Sequence, residues 1–106
     1  MKLGLERRVA LVAASSRGLG RATAAELAAE GASVIMCARN ETELARAAEQ
    51  IGDASGSRVV PVAGDLSEPD DVQRIVATGV AALGPVDILV TNTGGPPAGS
   101  PGRRGG

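Results

Sequence analysis

A turn of small residues separates a short apolar run from a helical pattern near the start of the sequence. Residues 9–20 read VALVAASSRGLG, in which small residues at 13–16 precede Gly18 and Gly20. Small or absent side chains let the backbone come close to a diphosphate, while the new helix directs unpaired N–H groups and its positive dipole end at the anion. This strand–turn–helix context predicts a site for the phosphates of a dinucleotide.

Two serines and two arginines near this turn could add polar contacts. Ser15 and Ser16 can donate hydroxyl hydrogen bonds to phosphate or cap the helix that follows. Arg39 follows the second apolar run, and residues 37–40 contain no acid of the kind that binds a ribose 2′-hydroxyl. The guanidinium groups of Arg17 and Arg39 suit a 2′-phosphate, so we expect NADP(H) in preference to NAD(H). The alternatives are that the glycines only pack the turn and that Arg39 is a solvated surface residue.

The elements that must position these residues alternate between strand and helix. Short apolar runs predict four strands, at residues 8–13, 33–37, 58–62 and 86–91. This alternation predicts a parallel sheet with right-handed crossovers in the order 3-2-1-4, which is an incomplete Rossmann-type α/β fold of three layers. The order reverses between strands 1 and 4, so a crevice is expected at their carboxyl ends.

Three helices are predicted between the strands. Residues 18–30 form helix 1, which Gly31 ends. Each of the other two helices has a predicted N-cap residue and a partner at the third helical position. The pairs are Asn40 with Glu43, and Ser67 with Asp70. A turn at residues 52–57 is expected to end helix 2. Gly79 is expected to interrupt helix 3, at a cost of about 1 kcal/mol relative to alanine.

Composition excludes several classes of function. The 106 residues carry a net charge of −1, which predicts no attraction for nucleic acid or an anionic membrane. No apolar run approaches the ~18 residues of a membrane span, so the cytoplasm is the expected compartment. Histidine and tyrosine are absent, which removes the commonest general base and a phenolic acid. With Cys37 as the single cysteine, neither a zinc site nor an internal disulfide is predicted.

Three segments have the spacing of a known nucleotide-binding pattern. Residues 13–20 stand where that pattern has Thr-Gly-x-x-x-Gly-x-Gly, residues 91–94 where it has Asn-Asn-Ala-Gly, and Asp65 where it has an aspartate near the end of strand 3. The chain therefore resembles the N-terminal half of a short-chain dehydrogenase/reductase. Residues 92–97, Asn-Thr-Gly-Gly-Pro-Pro, also resemble the corresponding segment of the 3-oxoacyl-(acyl-carrier-protein) reductase branch.

The resemblance implies hydride transfer between a nicotinamide dinucleotide and a carbonyl or alcohol carbon. It assigns Asp65 to the adenine amino group and Asn92 to the cofactor's ribose. Loop hydrogen bonding by Asp65 and strand bracing by Asn92 are the alternatives. The predicted cofactor-binding residues are Ala14, Ser15, Ser16, Arg17, Gly18, Leu19, Gly20, Arg39, Asp65, Leu66, Asn92 and Gly94.

The sequence departs from the family pattern in two respects. Ala14 replaces the first glycine of the phosphate motif, which we expect to weaken cofactor binding without abolishing it. The resemblance also places a catalytic Ser and a Tyr-x-x-x-Lys in a second half, whereas this sequence has no tyrosine and Lys2 is its only lysine. No catalytic residue is therefore predicted. A truncation, a shifted reading frame and a fragment all fit this pattern.

These departures leave three interpretations of the chain. Residues 1–95 are predicted as a nucleotide-binding half-domain, and the Gly/Pro/Arg-rich residues 96–106 as a tail without fixed structure. The first interpretation is an oxidoreductase half that binds cofactor and lacks catalysis. The second is a non-catalytic module that self-associates through an exposed sheet edge. The third is a remnant too small to be stable.

Overall fold

The protein folds as a four-stranded parallel sheet with helices on both faces, as the sequence predicts. The computed structural model describes residues 5–13 and 18–91. Within them the sheet order is β3-β2-β1-β4 and all three pairings are parallel. The described elements, in chain order, are β1 Val9–Val12, α1 Gly18–Ala29, β2 Ser33–Ala38, α2 Glu41–Ser55, β3 Val59–Ala63, α3 Pro69–Leu83 and β4 Ile88–Val90.

The two central strands carry apolar side chains on both faces because helices cover both. Val34 and Met36 of β2 pack on one face with residues of α1 and α2. Leu11 and Ile35 pack on the other face with Ile75 of α3. This burial explains why the runs in β1 and β2 show no polar alternation. Since the sequence has no aromatic residue, the core is aliphatic throughout.

Gly79 allows α3 to lie close against β2. The residue is buried, and a methyl group built on it would overlap Ile35 Cδ1 and lie 2.9 Å from Ile35 Cγ1. The prediction that Gly79 interrupts the helix is wrong, because α3 runs unbroken from Pro69 to Leu83. The glycine removes a side chain at the contact with the sheet and does not break the hydrogen-bonded turns.

The end of α2 lies later than predicted. The helix continues to Ser55, so most of the turn expected at residues 52–57 is helical. Gly56 ends the helix with a left-handed φ of 76°, and its N–H donates to the carbonyl oxygen of Gly52 at 2.8 Å. Gly52 thus lies inside the helix, because the residue that leaves helical conformation is the second glycine.

The two predicted helix caps differ in outcome. Asn40 caps α2 as predicted, and its Oδ1 accepts a hydrogen bond from the Glu43 N–H at 2.9 Å. The prediction for Ser67 is wrong, because α3 begins after Glu68. The N–H and hydroxyl of Ser67 both donate to Asp65 Oδ1, at 2.9 and 2.7 Å, so Ser67 belongs to the preceding loop.

The strand β4 is short and lies at an edge of the described sheet. It covers three residues of the six predicted, and apart from the end of α2 the other element ends agree with the prediction to within one residue. Asp87 sets its start, because Oδ2 accepts from the Val9 N–H at 2.9 Å and the Asp87 N–H donates to the Val9 carbonyl oxygen at 2.8 Å. Leu89, in the middle of β4, is 61% exposed. No helix in the part of the chain that the structure describes is long and apolar enough to span a membrane.

Candidate functional site

The carboxyl ends of the strands form the candidate site. Beyond the end of β1, the Ala13 N–H donates to the Val90 carbonyl oxygen at 2.9 Å. Beyond the end of β3, the Gly64 N–H donates to the Ala38 carbonyl oxygen at 2.9 Å. These bonds hold the strands together where the predicted site residues begin. The sheet order therefore brings the start of α1, Arg39 and the loop after β3 to one edge.

The start of α1 carries the described residues of the predicted phosphate-binding turn: Gly18, Leu19 and Gly20. Gly18 has a φ of +66°, which favours glycine, and a side chain built there would meet no atom of the described residues within 4 Å. Leu19 is 73% exposed, whereas Gly20 is buried against the sheet. The first turn of α1 contains no acidic residue, whereas the first turns of α2 and α3 contain two each. No carboxylate within that turn opposes the approach of an anion to its N–H groups.

Arg39 lies directly beyond β2 and is exposed. Its guanidinium is close enough to Asp65 to help lower the pKa of that carboxyl group. The next residue, Asn40, uses its side chain to cap α2 and is not available for a ligand through that oxygen. Arg39 is thus an exposed cation held at the carboxyl end of β2, where the sequence predicts it.

Asp65 is an ionised carboxylate in the loop after β3. The N–H and hydroxyl of Ser67 donate to Oδ1, and these two bonds hold the pKa of the Asp65 carboxyl below its usual range. Burial opposes them, and the charge of Arg39 adds the smallest effect, which also lowers the pKa. The structure thus shows the loop hydrogen bonding that the sequence left as one of two roles. Among the described residues no hydrogen bond reaches Oδ2, so that oxygen can still accept from a ligand.

The remaining predicted site residues are placed differently. The Leu66 side chain is partly buried and packs against the core cluster that contains Ile75 of α3. Six predicted residues lie outside the described ranges, and their roles stay predictions: Ala14, Ser15, Ser16, Arg17, Asn92 and Gly94. The same holds for the boundary at residue 95 and the tail at 96–106.

Two residues of α3 hold the loop after β3, and sequence reasoning did not single them out. Asp71 Oδ2 accepts from the Asp65 N–H at 2.9 Å. Arg74 Nη2 donates to the Ala63 carbonyl oxygen at 2.7 Å and lies 3.4 Å from Asp71 Oδ1. In sequence the two residues have the i,i+3 spacing of an ordinary surface ion pair, so no signal distinguishes their contact with the loop.

A shallow groove of about 360 Å³ lies elsewhere, between α1 and α2. Its lining comes from α1 between Arg21 and Ala29 and from the C-terminal part of α2, and Arg21 hydrogen-bonds to Gln50. None of the described residues predicted for the cofactor site lines this groove. The lining residues are Arg21, Ala25, Ala29, Gln50, Ile51, Ala54 and Ser55.

Comparison with known proteins assigns the chain to a family. A family model described as short chain dehydrogenase matches residues 8–103. The chain belongs to the short-chain dehydrogenase/reductase family. The match to the family model extends to residue 103, beyond the last sequence motif, which ends at residue 94. The branch of 3-oxoacyl reductases is not singled out by the family match.

A curated short-chain dehydrogenase and two solved structures illustrate the similarity. Glucose 1-dehydrogenase of Gluconobacter oxydans is 42% identical over 84 residues, which are 79% of this chain and 32% of that protein. L-sorbose reductase of Gluconobacter frateurii, crystallised with NADPH and L-sorbose, matches with a TM-score of 0.85 and 36% identity over 92% of this chain and 37% of that one. Actinorhodin polyketide ketoreductase, crystallised with NADPH, matches with a TM-score of 0.79 and 32% identity over 91% of this chain and 36% of that one.

The chain spans about a third of the length of the curated short-chain dehydrogenases it matches, with shares of 32%, 29% and 34% for three of them. The described sheet and helices are therefore the counterpart of one part of those proteins. The activities of those full-length proteins are not assigned to this chain by the match.

Proposed function

We propose that this chain is the nucleotide-binding part of an NADP(H)-dependent oxidoreductase. The single observation that carries the proposal is the juxtaposition at the carboxyl end of the sheet: the glycine start of α1, the cation Arg39 and the carboxylate Asp65. Family membership and the NADPH bound in two similar crystal structures support it. The reaction class is hydride transfer between the cofactor and a carbonyl or alcohol carbon.

The described residues fit a nicotinamide dinucleotide at its adenosine and phosphate end. Gly18 has no side chain to obstruct a ligand, and the start of α1 adds N–H groups without an acid. Asp65 Oδ2 can accept a hydrogen bond from the adenine amino group, while Oδ1 is occupied by Ser67. Bound NADP(H) would supply the hydride chemistry itself. The role we assign to this chain is to bind and orient its adenosine end.

The preference for NADP(H) over NAD(H) rests on Arg39. An NAD site normally carries an acid after β2 that binds both ribose hydroxyls and would repel a 2′-phosphate. Here an exposed arginine follows β2 and no acid lies within residues 37–40. A guanidinium can form charge-assisted hydrogen bonds with a phosphate.

Calorimetric titration of the purified chain with NADPH and NADH tests this proposal. We expect heat with NADPH and weaker binding of NADH. Arg39→Ala should weaken NADPH binding by about 10- to 100-fold, as for loss of a hydrogen bond to a charged group, and leave NADH nearly unchanged. Arg46→Ala, which removes an exposed arginine from α2, is the matched control. Absence of NADPH binding by folded wild-type chain would refute the nucleotide-binding function.

We also propose that these 106 residues bind cofactor without turnover. They contain no tyrosine, and Lys2 is the only lysine. The Tyr-x-x-x-Lys that the family resemblance calls for is therefore absent from them. An assay of NADPH oxidation with a panel of aldehydes, ketones and 3-oxoacyl thioesters should show only background rates. Turnover by pure chain would overturn this part, and a rate confined to 3-oxoacyl thioesters would favour the 3-oxoacyl reductase branch.

A second candidate is a non-catalytic module that self-associates through β4. The observation that favours it is the 61% exposure of Leu89 on a three-residue strand with one described partner, β1. Light scattering over a range of concentrations should then show a dimer that Leu89→Lys dissociates. Leu19→Lys, at another exposed leucine, is the control. A monomer at all concentrations would remove this candidate.

A further inference from the structure

We propose that Asp71 and Arg74 of α3 act together as positioning residues for the adenosine end of the cofactor site. The inference rests on the proposed nucleotide-binding function and adds residues that lie outside the predicted motifs. Neither side chain is assigned to touch the ligand. Both act through the backbone of the loop that carries Asp65.

The two side chains hold polar backbone groups at both ends of a three-residue segment. Arg74 Nη2 donates to the carbonyl oxygen of Ala63, the last residue of β3, at 2.7 Å. Asp71 Oδ2 accepts from the N–H of Asp65 at 2.9 Å. Between them, the N–H of Gly64 donates to the Ala38 carbonyl oxygen at 2.9 Å. The backbone from strand end to Asp65 is therefore bonded at every one of these positions.

The pair itself is internally coupled. Arg74 Nη2 lies 3.4 Å from Asp71 Oδ1, so each side chain orients the other while it bonds to the loop. The side chain of Arg74 is 51% exposed and that of Asp71 is 33% exposed. Loss of either residue would leave its partner without one of its contacts, so we expect the two to act as a unit.

Packing around Gly64 shows how closely Arg74 lies against the loop. A methyl group on Gly64 would lie 2.7 Å from Arg74 Nη2 and 2.9 Å from Ile75 Cδ1. The guanidinium thus rests on the backbone where the loop leaves β3. A shift of α3 would move this loop and, with it, the direction of the Asp65 carboxylate.

The functional consequence is the orientation of Asp65. Its Oδ1 is used by Ser67, so only Oδ2 remains for a ligand, and its direction depends on the backbone that Asp71 and Arg74 hold. Arg39 lies beyond the carboxyl end of β2, the strand next to β3 in the sheet. A misdirected Asp65 would lose its ligand contact even though the loop, helix and strand all remained folded.

The test compares Asp71→Ala with Asp70→Ala in the full 106-residue chain. Asp70 is exposed, lies one residue away in the same helical turn and carries the same charge, so it controls for charge and helix-dipole effects. The probes are NADPH and adenosine 2′,5′-bisphosphate, titrated at a temperature well below unfolding. Asp71→Ala should weaken both by about tenfold, as for loss of one hydrogen bond, and Asp70→Ala should weaken neither.

Two further variants separate positioning from a general loss of structure. Asp71→Asn keeps an oxygen that can accept from the Asp65 N–H, so it should recover most of the affinity, and it carries the test if Asp71→Ala does not fold. Asp71→Ala combined with Arg74→Ala should lose no more affinity than the weaker-binding single variant. Additive losses, or equal affinity in Asp71→Ala and wild type, would overturn the inference alone. Failure of wild-type chain to bind either probe would overturn the proposed function and the inference with it.

Discussion

The contact between α3 and β2 predicts that alanine at position 79 destabilises the protein. Alanine is normally better than glycine inside a helix by about 1 kcal/mol. At Gly79 the new methyl group would overlap Ile35 Cδ1 and lie 2.9 Å from Cγ1 and 3.2 Å from Cγ2. Ile35 is fully buried, and both γ-carbons branch from one Cβ, so no rotation of the side chain clears them all.

The expected magnitude follows from two opposing terms. Inserting a methyl group into a well-packed core costs about 1–3 kcal/mol, and contact with three atoms of one buried side chain places this case near the upper end. Subtracting the helix-propensity gain of about 1 kcal/mol leaves a net loss of about 2 kcal/mol in the free energy of unfolding. For a chain of this size the melting temperature should fall by about 10 °C.

Thermal unfolding followed by circular dichroism measures this change, with two companion variants. Gly52→Ala is the matched control, because Gly52 lies in α2 and the nearest atom to a new methyl group there is 3.8 Å away. It should stabilise the protein by up to about 1 kcal/mol. Ile35→Val removes the atom that overlaps and should cost about 1 kcal/mol alone, but less than that when combined with Gly79→Ala.

The decisive result is a fall in melting temperature for Gly79→Ala together with a rise for Gly52→Ala. If Gly79→Ala raised the melting temperature as Gly52→Ala is expected to do, the close approach of helix and sheet would not constrain position 79. If Ile35→Val cost the same in both backgrounds, the overlap would not be with Ile35. Either result would refute the reasoning.

Three further changes have expected outcomes. Asn40→Ala removes the cap of α2 and should cost about 1 kcal/mol in the free energy of unfolding, measured by urea titration, whereas Thr42→Ala in the same turn should cost far less. Gly56→Ala places a side chain at a φ of 76° and should cost about 1–2 kcal/mol; unchanged stability would contradict the left-handed cap. Asp65→Asn tests the lowered pKa of that carboxyl. The ionised Asp65 stabilises the fold at pH values above the ordinary pKa of aspartate, and this contribution is lost as the pH falls through the folded-state pKa. The difference in melting temperature between wild type and Asp65→Asn should therefore close in acid, while a constant difference would contradict the assignment; Asp53→Asn is an exposed control.

Much of the candidate site could be predicted because its residues follow strands directly. A strand that ends at a known residue places the next one or two residues at the sheet edge, and strand order then decides which edges meet. Arg39 and Asp65 are such residues, and they follow neighbouring strands of the sheet. The glycine at the start of α1 was predicted from its place between a strand and a helix, and the structure adds that its φ is left-handed.

The loop support from α3 could not be predicted in this way. Asp71 and Arg74 reach the loop only because the first turns of α3 pass beside the end of β3. That path depends on how α3 packs on the opposite face of the sheet, which no local pattern records. The cap of α3 was mispredicted for a local reason: Asp65, two residues earlier, accepts from the N–H and the hydroxyl of Ser67 and holds Ser67 in the loop.

The sequence by itself determined the parallel sheet, its order and the cap of α2, since apolar runs, alternation of strand and helix and one side-chain cap are all local patterns. Tertiary structure decided the role of Gly79 and the orientation of Asp65. Both depend on distances between segments far apart along the chain or on the direction of a packed helix. A glycine that breaks a helix and a glycine that admits a neighbouring strand look the same in sequence, and only the position of Ile35 distinguishes them.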